Sequence, residues 1–85
     1  MPGDSNDTRE AVRDFLIAQN RWHEPREQLT DDYPLLQNGV IDSLGLFRLV
    51  SFLEDTYGLR VDDRELVPAH FSTVSAIADF IERAR

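Results

Sequence analysis

The chain reads as an all-α bundle, and three observations carry that reading. Apolar residues recur at helical spacing in three segments, around residues 12–16, 46–57 and 77–84. A capping side chain precedes each segment, and a glycine closes the middle one. No stretch alternates apolar and polar residues convincingly enough for a strand.

Taken in order, residues 1–6 are polar, contain Pro and Gly, and read as a disordered tail before a single domain over 7–85. Asp7 is the expected N-cap of the first helix, with Glu10 as its capping-box partner. Val12, Phe15 and Leu16, flanked by Ala11 and Ile17, then predict a helix over 8–19. Residues 20–41 show no period; Pro25 and Pro34 break helix, and Asn38-Gly39 signals a turn. Leu29, Tyr33, Leu35 and Leu36 are too apolar for a linker, so this stretch is expected to be an ordered loop pinned to the core. Trp22 is expected to cover the end of the first helix.

Asp42 or Ser43 caps the second helix, with Leu46, Val50, Leu53 and Tyr57 as its inward stripe, widened by Leu49 and Phe52. Gly58 suits the left-handed residue that ends it. Leu59-Arg60-Val61 is a short extended connector. Asp62 with Glu65 forms a capping box, and Pro68 fits the first position of a short helix over Pro68–Phe71. Thr73 caps a last helix over 74–84, whose apolar face is Ile77, Phe80, Ile81 and Ala84.

Composition bounds the function. The 85 residues contain no Cys, which removes disulfide scaffolds, thiolate zinc sites and a cysteine nucleophile. The two histidines, His23 and His70, are too few for a His-rich metal centre and read as surface or packing residues. No apolar run reaches the roughly 18 residues of a membrane span, and the N-terminus lacks the features of a signal peptide, so a soluble, cytoplasmic chain is expected. Nine basic against sixteen acidic residues leave a net charge of −7, which disfavours nucleic acid and anionic membrane and favours a basic protein patch. Residues 31–65 hold most of that excess. Every basic residue is Arg, which reads as compositional bias.

The informative segment is Asn38-Gly39-Val40-Ile41-Asp42-Ser43-Leu44-Gly45-Leu46-Phe47. It places the Ser43 hydroxyl at a helix start, where backbone N–H groups are unpaired and the helix dipole favours an anion by about 0.3–1 kcal/mol. Two local readings stand: Asp-Ser as a helix cap only, or a serine placed to bear a phosphate ester. Ser43 is outside any Gly-x-Ser-x-Gly elbow, and a hydrolase needs a base and an oxyanion hole on a larger scaffold. Asp31-Asp32 and Asp62-Asp63 lack calcium-loop spacing and read as caps and solvated charge. On the second helix, Leu44, Phe47 and Ser51 form a stripe apart from the inward one. They are either an exposed docking patch or, for Phe47, packing against the loop. Glu54 and Asp55 either meet a basic partner or form an ordinary solvated helix end.

Asp42-Ser43-Leu44 in this helical frame resembles the attachment motif of acyl carrier proteins. The likeness extends over roughly 8–84 and includes Val61-Asp62-Asp63, Leu66-Val67-Pro68 and Phe71-Ser72-Thr73-Val74. It is similar to freestanding carriers of polyketide, nonribosomal-peptide or aminoacyl pathways. The resemblance implies a four-helix carrier bundle with a long first loop and a short third helix. It also implies that the chain is a monomeric carrier, not an enzyme. A 4′-phosphopantetheine arm would join Ser43, between Asp42 and Leu44, and hold cargo as a thioester. The implied partners are a phosphopantetheinyl transferase and an acyl or aminoacyl ligase, acyltransferase or ketosynthase. Leu44, Phe47, Arg48, Ser51, Glu54 and Asp55 would face them.

Four places depart from common patterns. Arg48 and Gly45 stand where fatty-acid carriers often have acids, Val40-Ile41 where peptidyl carriers often have Gly-Gly, and Ala69-His70 where many relatives have Glu-Asn. The competing readings are a carrier for aminoacyl transfer to a cell-wall polymer and an acidic helical adaptor without a prosthetic group.

Overall fold

Four α-helices and two 3-10 turns follow one another in the computed structural model, which describes residues 4–19 and 22–84. The helices are α1 (Asp4–Ala18), α2 (Ser43–Tyr57), α3 (Pro68–Phe71) and α4 (Val74–Ala84). The 3-10 turns are Arg26–Gln28 and Asp63–Glu65. No strand occurs among the described residues.

α1 begins at Asp4, so Asp7 lies inside the helix and is not its cap. No Pro or Gly falls within residues 4–6, and extending a helix by one residue costs far less than nucleating it. Residues 4–6 of the expected tail are therefore helical, and residues 1–3 lie outside the described ones. The inward face of α1 is Val12 and Leu16. Thr8 is also buried, and its hydroxyl donates to Glu82 of α4 at 2.9 Å, tying the two helices together.

α2 buries Leu49 and Leu53, with Leu46, Phe52 and Tyr57 packed around them. Val50, expected on the inward stripe, is only half-buried; the core meets the Leu46–Leu49–Leu53 ridge instead. Phe52 reaches α1 by stacking on Phe15, with ring centroids 4.5 Å apart. Gly58 ends α2 at φ 65°, a left-handed conformation that glycine adopts without a Cβ clash. The Asp62–Glu65 capping box is present, Pro68 opens α3, and the Thr73 hydroxyl accepts the Ala76 N–H at 3.0 Å. α4 buries Ile77, Phe80 and Ile81 as expected, adds Val74 and Ala78, and leaves Ala84 exposed at its end.

The long connection between α1 and α2 is ordered, and side chains hold it. Leu29, Leu35, Val40 and Ile41 enter the core, and Tyr33 and Leu36 pack against it. Two backbone bonds join it to the far end of the chain: Leu35 N–H to the Ser72 carbonyl at 2.8 Å and Ser75 N–H to the Asp31 carbonyl at 2.9 Å. Trp22 lies edge-on to Tyr33 and donates to the Pro25 carbonyl at 3.1 Å.

An ion-pair cluster, invisible to periodicity, fastens this loop to α1. Arg13 is only 8% exposed. It donates Nε to the Leu29 carbonyl at 2.7 Å and pairs with Glu10 and Asp31. Arg9 also pairs with Asp31, at 3.1 Å, and Arg26 pairs with Glu10 and Asp14. The hydrogen bond from Arg26, with Arg13 close by, holds the Glu10 carboxyl below its ordinary value. A lowered folded-state pKa stabilises the fold fully above the ordinary value. That contribution fades as pH falls through the folded value.

Two outcomes follow for stability. Urea unfolding from neutral pH downward should show a loss beginning near the ordinary Glu10 value of 4.5, and Glu10→Gln should flatten that part of the profile. Leu35→Ala, which empties a fully buried site under the loop, should cost about 2–5 kcal/mol in the same assay at neutral pH.

Candidate functional site at the start of α2

The segment before α2 is held by one turn and three buried side chains. Leu35 is buried, and its carbonyl accepts the Val40 N–H at 2.9 Å. The chain reverses at Gly39, whose φ of 74° is left-handed. Val40 and Ile41 then turn inward and anchor the strand of backbone that leads into the helix. Asp42, in an extended conformation, is the N-cap: its carboxylate accepts the Gly45 N–H at 2.7 Å, while its carbonyl accepts the Leu46 N–H at 2.8 Å.

Ser43 is thus the first helical residue and not the cap. It is exposed, on a rigid element, at the positive end of the helix dipole. An exposed hydroxyl there accepts a bulky phosphodiester substituent without displacing the core, so these residues fit a phosphopantetheine arm. The Asp42 carboxylate accepts the Gly45 N–H and serves as the cap of the helix that Ser43 opens.

Gly45 acquires a reason here. A Cβ at this position would come within 3.1 Å of the Asp42 carboxylate, closer than ordinary contact. The absence of a side chain lets the cap close tightly.

The outward face of α2 is apolar near Ser43. Leu44 is 56% exposed and Phe47 is 68% exposed, so Phe47 does not pack on the loop. Arg48, Ser51 and Asp55 are exposed beside them, and Arg48 donates to the Gln19 side-chain oxygen at 3.2 Å. Glu54 differs from its expected neighbours. It is half-buried and accepts the Val61 N–H at 3.1 Å, so it fastens the connector after α2.

Phe15 of α1 and Gln19, just past its end, join Phe47, Arg48 and Ser51 in a shallow groove of about 500 Å³. Nothing in the sequence marks Gln19 for this, because its role depends on how α1 and α2 pack. A second cleft, between Ile41, Leu44 and Leu16, measures about 30 Å³. That is room for a water or two and not for an acyl chain.

The remaining candidates are structural. His70 shares a 2.8 Å hydrogen bond with the Glu65 carbonyl and stacks on Phe80 at 5.0 Å, while His23 is exposed. Asp62 caps its turn, and the Arg64 side chain that donates to it lowers its pKa. Among the described residues, no group of three or more His, Asp or Glu side chains is placed to hold a metal, and no helix is long and apolar enough to cross a membrane.

Comparison with known proteins identifies the family. Residues 17–81 match the family described as phosphopantetheine attachment site. The chain is similar to the probable acyl carrier protein PigG of a Serratia species, with 28% identity over 60 residues, covering 71% of this chain and 69% of the relative. It is also similar to an acyl carrier protein of Saccharopolyspora erythraea, with 45% identity over 42 residues. That match covers 49% of this chain and 44% of the relative, so it spans less than half of that protein.

The cap and the acceptor should separate by mutation. Asp42→Ala should lower stability by about 1 kcal/mol. Ser43→Ala, at an exposed first-turn position, should change it by less than about 0.5 kcal/mol. Parallel denaturant titrations of the two variants check this.

Proposed function

The chain belongs to the phosphopantetheine-attachment family, and from that premise we propose that Ser43 is the residue to which its 4′-phosphopantetheine is joined. A member of this family is a carrier and not a catalyst. The observation that carries the assignment of Ser43 is its position: an exposed hydroxyl opening α2 directly after the Asp42 cap.

The chain's own residues have distinct tasks in this reading. Asp42 holds the first turn of α2 closed, so that Ser43 presents its hydroxyl in a fixed place to a phosphopantetheinyl transferase. Leu44 flanks the attachment point on the exposed side. The terminal thiol of the bound group supplies the thioester chemistry. Phe47, Arg48, Ser51 and Asp55 face the enzymes that load and unload the cargo, an acyl or aminoacyl ligase, acyltransferase or ketosynthase. Glu54 keeps that face in place through its bond to Val61. Contacts of this kind, few and solvent-exposed, suit a carrier that must release each partner quickly.

The pathway is the assembly of polyketide or nonribosomal-peptide products. Support comes from the resemblance of the whole motif set and from Arg48, which breaks the acidic run usual in fatty-acid carriers. The 30 Å³ cleft near Ser43 is consistent with cargo displayed on the arm and not stored inside the bundle.

Intact mass before and after incubation with coenzyme A and a broad-specificity transferase tests the assignment. A gain of one phosphopantetheine, abolished in Ser43→Ala, is the expected result. No gain on a folded, unmodified sample, or a gain that survives Ser43→Ala, would overturn it.

A further inference from the structure

The groove between α1 and α2 takes no part in holding the arm, yet it has a chemistry of its own. Its edge is Phe47, more exposed than Leu44 or Val67. An aromatic ring left this open gains substantially from being covered. Phe15 from α1 contributes apolar surface, and Gln19 and Ser51 add polar atoms.

Arg48 supplies the charge. Its one hydrogen bond among the described residues is to the neutral amide oxygen of Gln19. Arg9, Arg13, Arg26 and Arg64 each meet a carboxylate; among the described residues Arg48, like Arg60 and Arg83, meets none, and of these three it is Arg48 that lines the groove. In an acidic chain, this places a local positive charge directly beside an exposed ring.

We propose that this groove docks a partner protein through an apolar side chain set against Phe47, with a neighbouring carboxylate that pairs with Arg48. The proposal rests on the reading of α2 as a docking face, and charge complementarity selects the occupant. Arg48 presents a planar fork suited to a carboxylate. Asp55 lies seven residues further along α2, about 10 Å along the helix axis, with the opposite sign. The partner's charges therefore have to be ordered, with acid toward the Ser43 end and base toward the Tyr57 end. A uniformly basic patch would set a like charge against Arg48, so the same residue excludes as well as attracts. The order also fixes which way round the partner sits relative to Ser43.

Two amphipathic helical peptides of about 15 residues serve as probes, identical in apolar face and differing only in Glu or Lys beside it. Each is titrated into isotope-labelled full chain while backbone amide signals are followed. The Glu peptide should shift Gln19, Phe47, Arg48 and Ser51 and bind roughly fivefold more tightly than the Lys peptide. Arg48→Glu should reverse that preference, and Phe47→Ser should weaken both peptides. Both positions are exposed, and circular dichroism verifies that the variants are folded. Equal or stronger binding of the Lys peptide would overturn the proposal. So would shifts confined to another face, a preference unchanged in Arg48→Glu, or no binding of either peptide. Loading of the unaltered chain is measured separately by mass. Loading without Glu preference overturns the groove alone, and Glu preference without loading overturns the Ser43 assignment alone.

Discussion

A guanidinium on the inward side of a helix must be given acceptors, and Arg13 finds them in the loop that follows. The Leu29 carbonyl accepts from its Nε, and the Glu10 and Asp31 carboxylates accept from Nη1 and Nη2. A connection of this length has no ladder of backbone bonds to hold it, and ordering each of its residues costs about 1–2 kcal/mol of backbone entropy. Arg13 and Arg26 gather its beginning against α1, and Leu29 and Leu35 are carried into the core. Glu10, Asp14, Asp31 and Arg26 stay open to solvent, so the buried Arg13 is the member that most needs its partners.

Everything that places the site depends on that loop being fixed. The bond from Leu35 to Ser72 sets its middle against the start of α4. From Leu35 the turn at Gly39 leads to Val40 and Ile41, whose burial leaves little freedom for Asp42. The cap on α2 is therefore positioned by side chains many residues earlier in the chain. Ser43 itself makes no demand on the core. This separation lets a hydroxyl be fully accessible and still well located.

The same division appears along α2. One side, Leu46, Leu49 and Leu53, is committed to the bundle. The other, Leu44, Phe47, Arg48 and Ser51, has little to do with stability. Leu44 and Phe47 remain exposed on that side. Glu54 sits between the two roles, since its position on the helix surface brings it to the Val61 backbone.

The sequence by itself determined what is local. The Asp62–Glu65 box, the Thr73 cap, the Gly58 stop and the turn at Gly39 depend on residues a few positions apart, and each stands where the spacing put it. The amphipathic faces of the helices were legible for the same reason, and the apolarity of Leu29 and Leu35 was enough to expect a pinned loop; the exposure of Phe47 was open until the structure showed it. Local rules misplaced the start of α1, because Asp7 is a good cap that a continuing helix had no need of. They also favoured Val50 over a narrower ridge, since a stripe shows a face but not what packs on it. Spacing left Asp42 and Ser43 both open as the cap, and a contact three residues long settled it; only the tertiary structure decided that Arg13 ties the loop down and that Thr8 reaches Glu82. It alone brought Phe15 and Gln19 beside Phe47 and Arg48. Such pairings join residues distant in sequence, and only the packing of helices and loop on one core brings their side chains within reach.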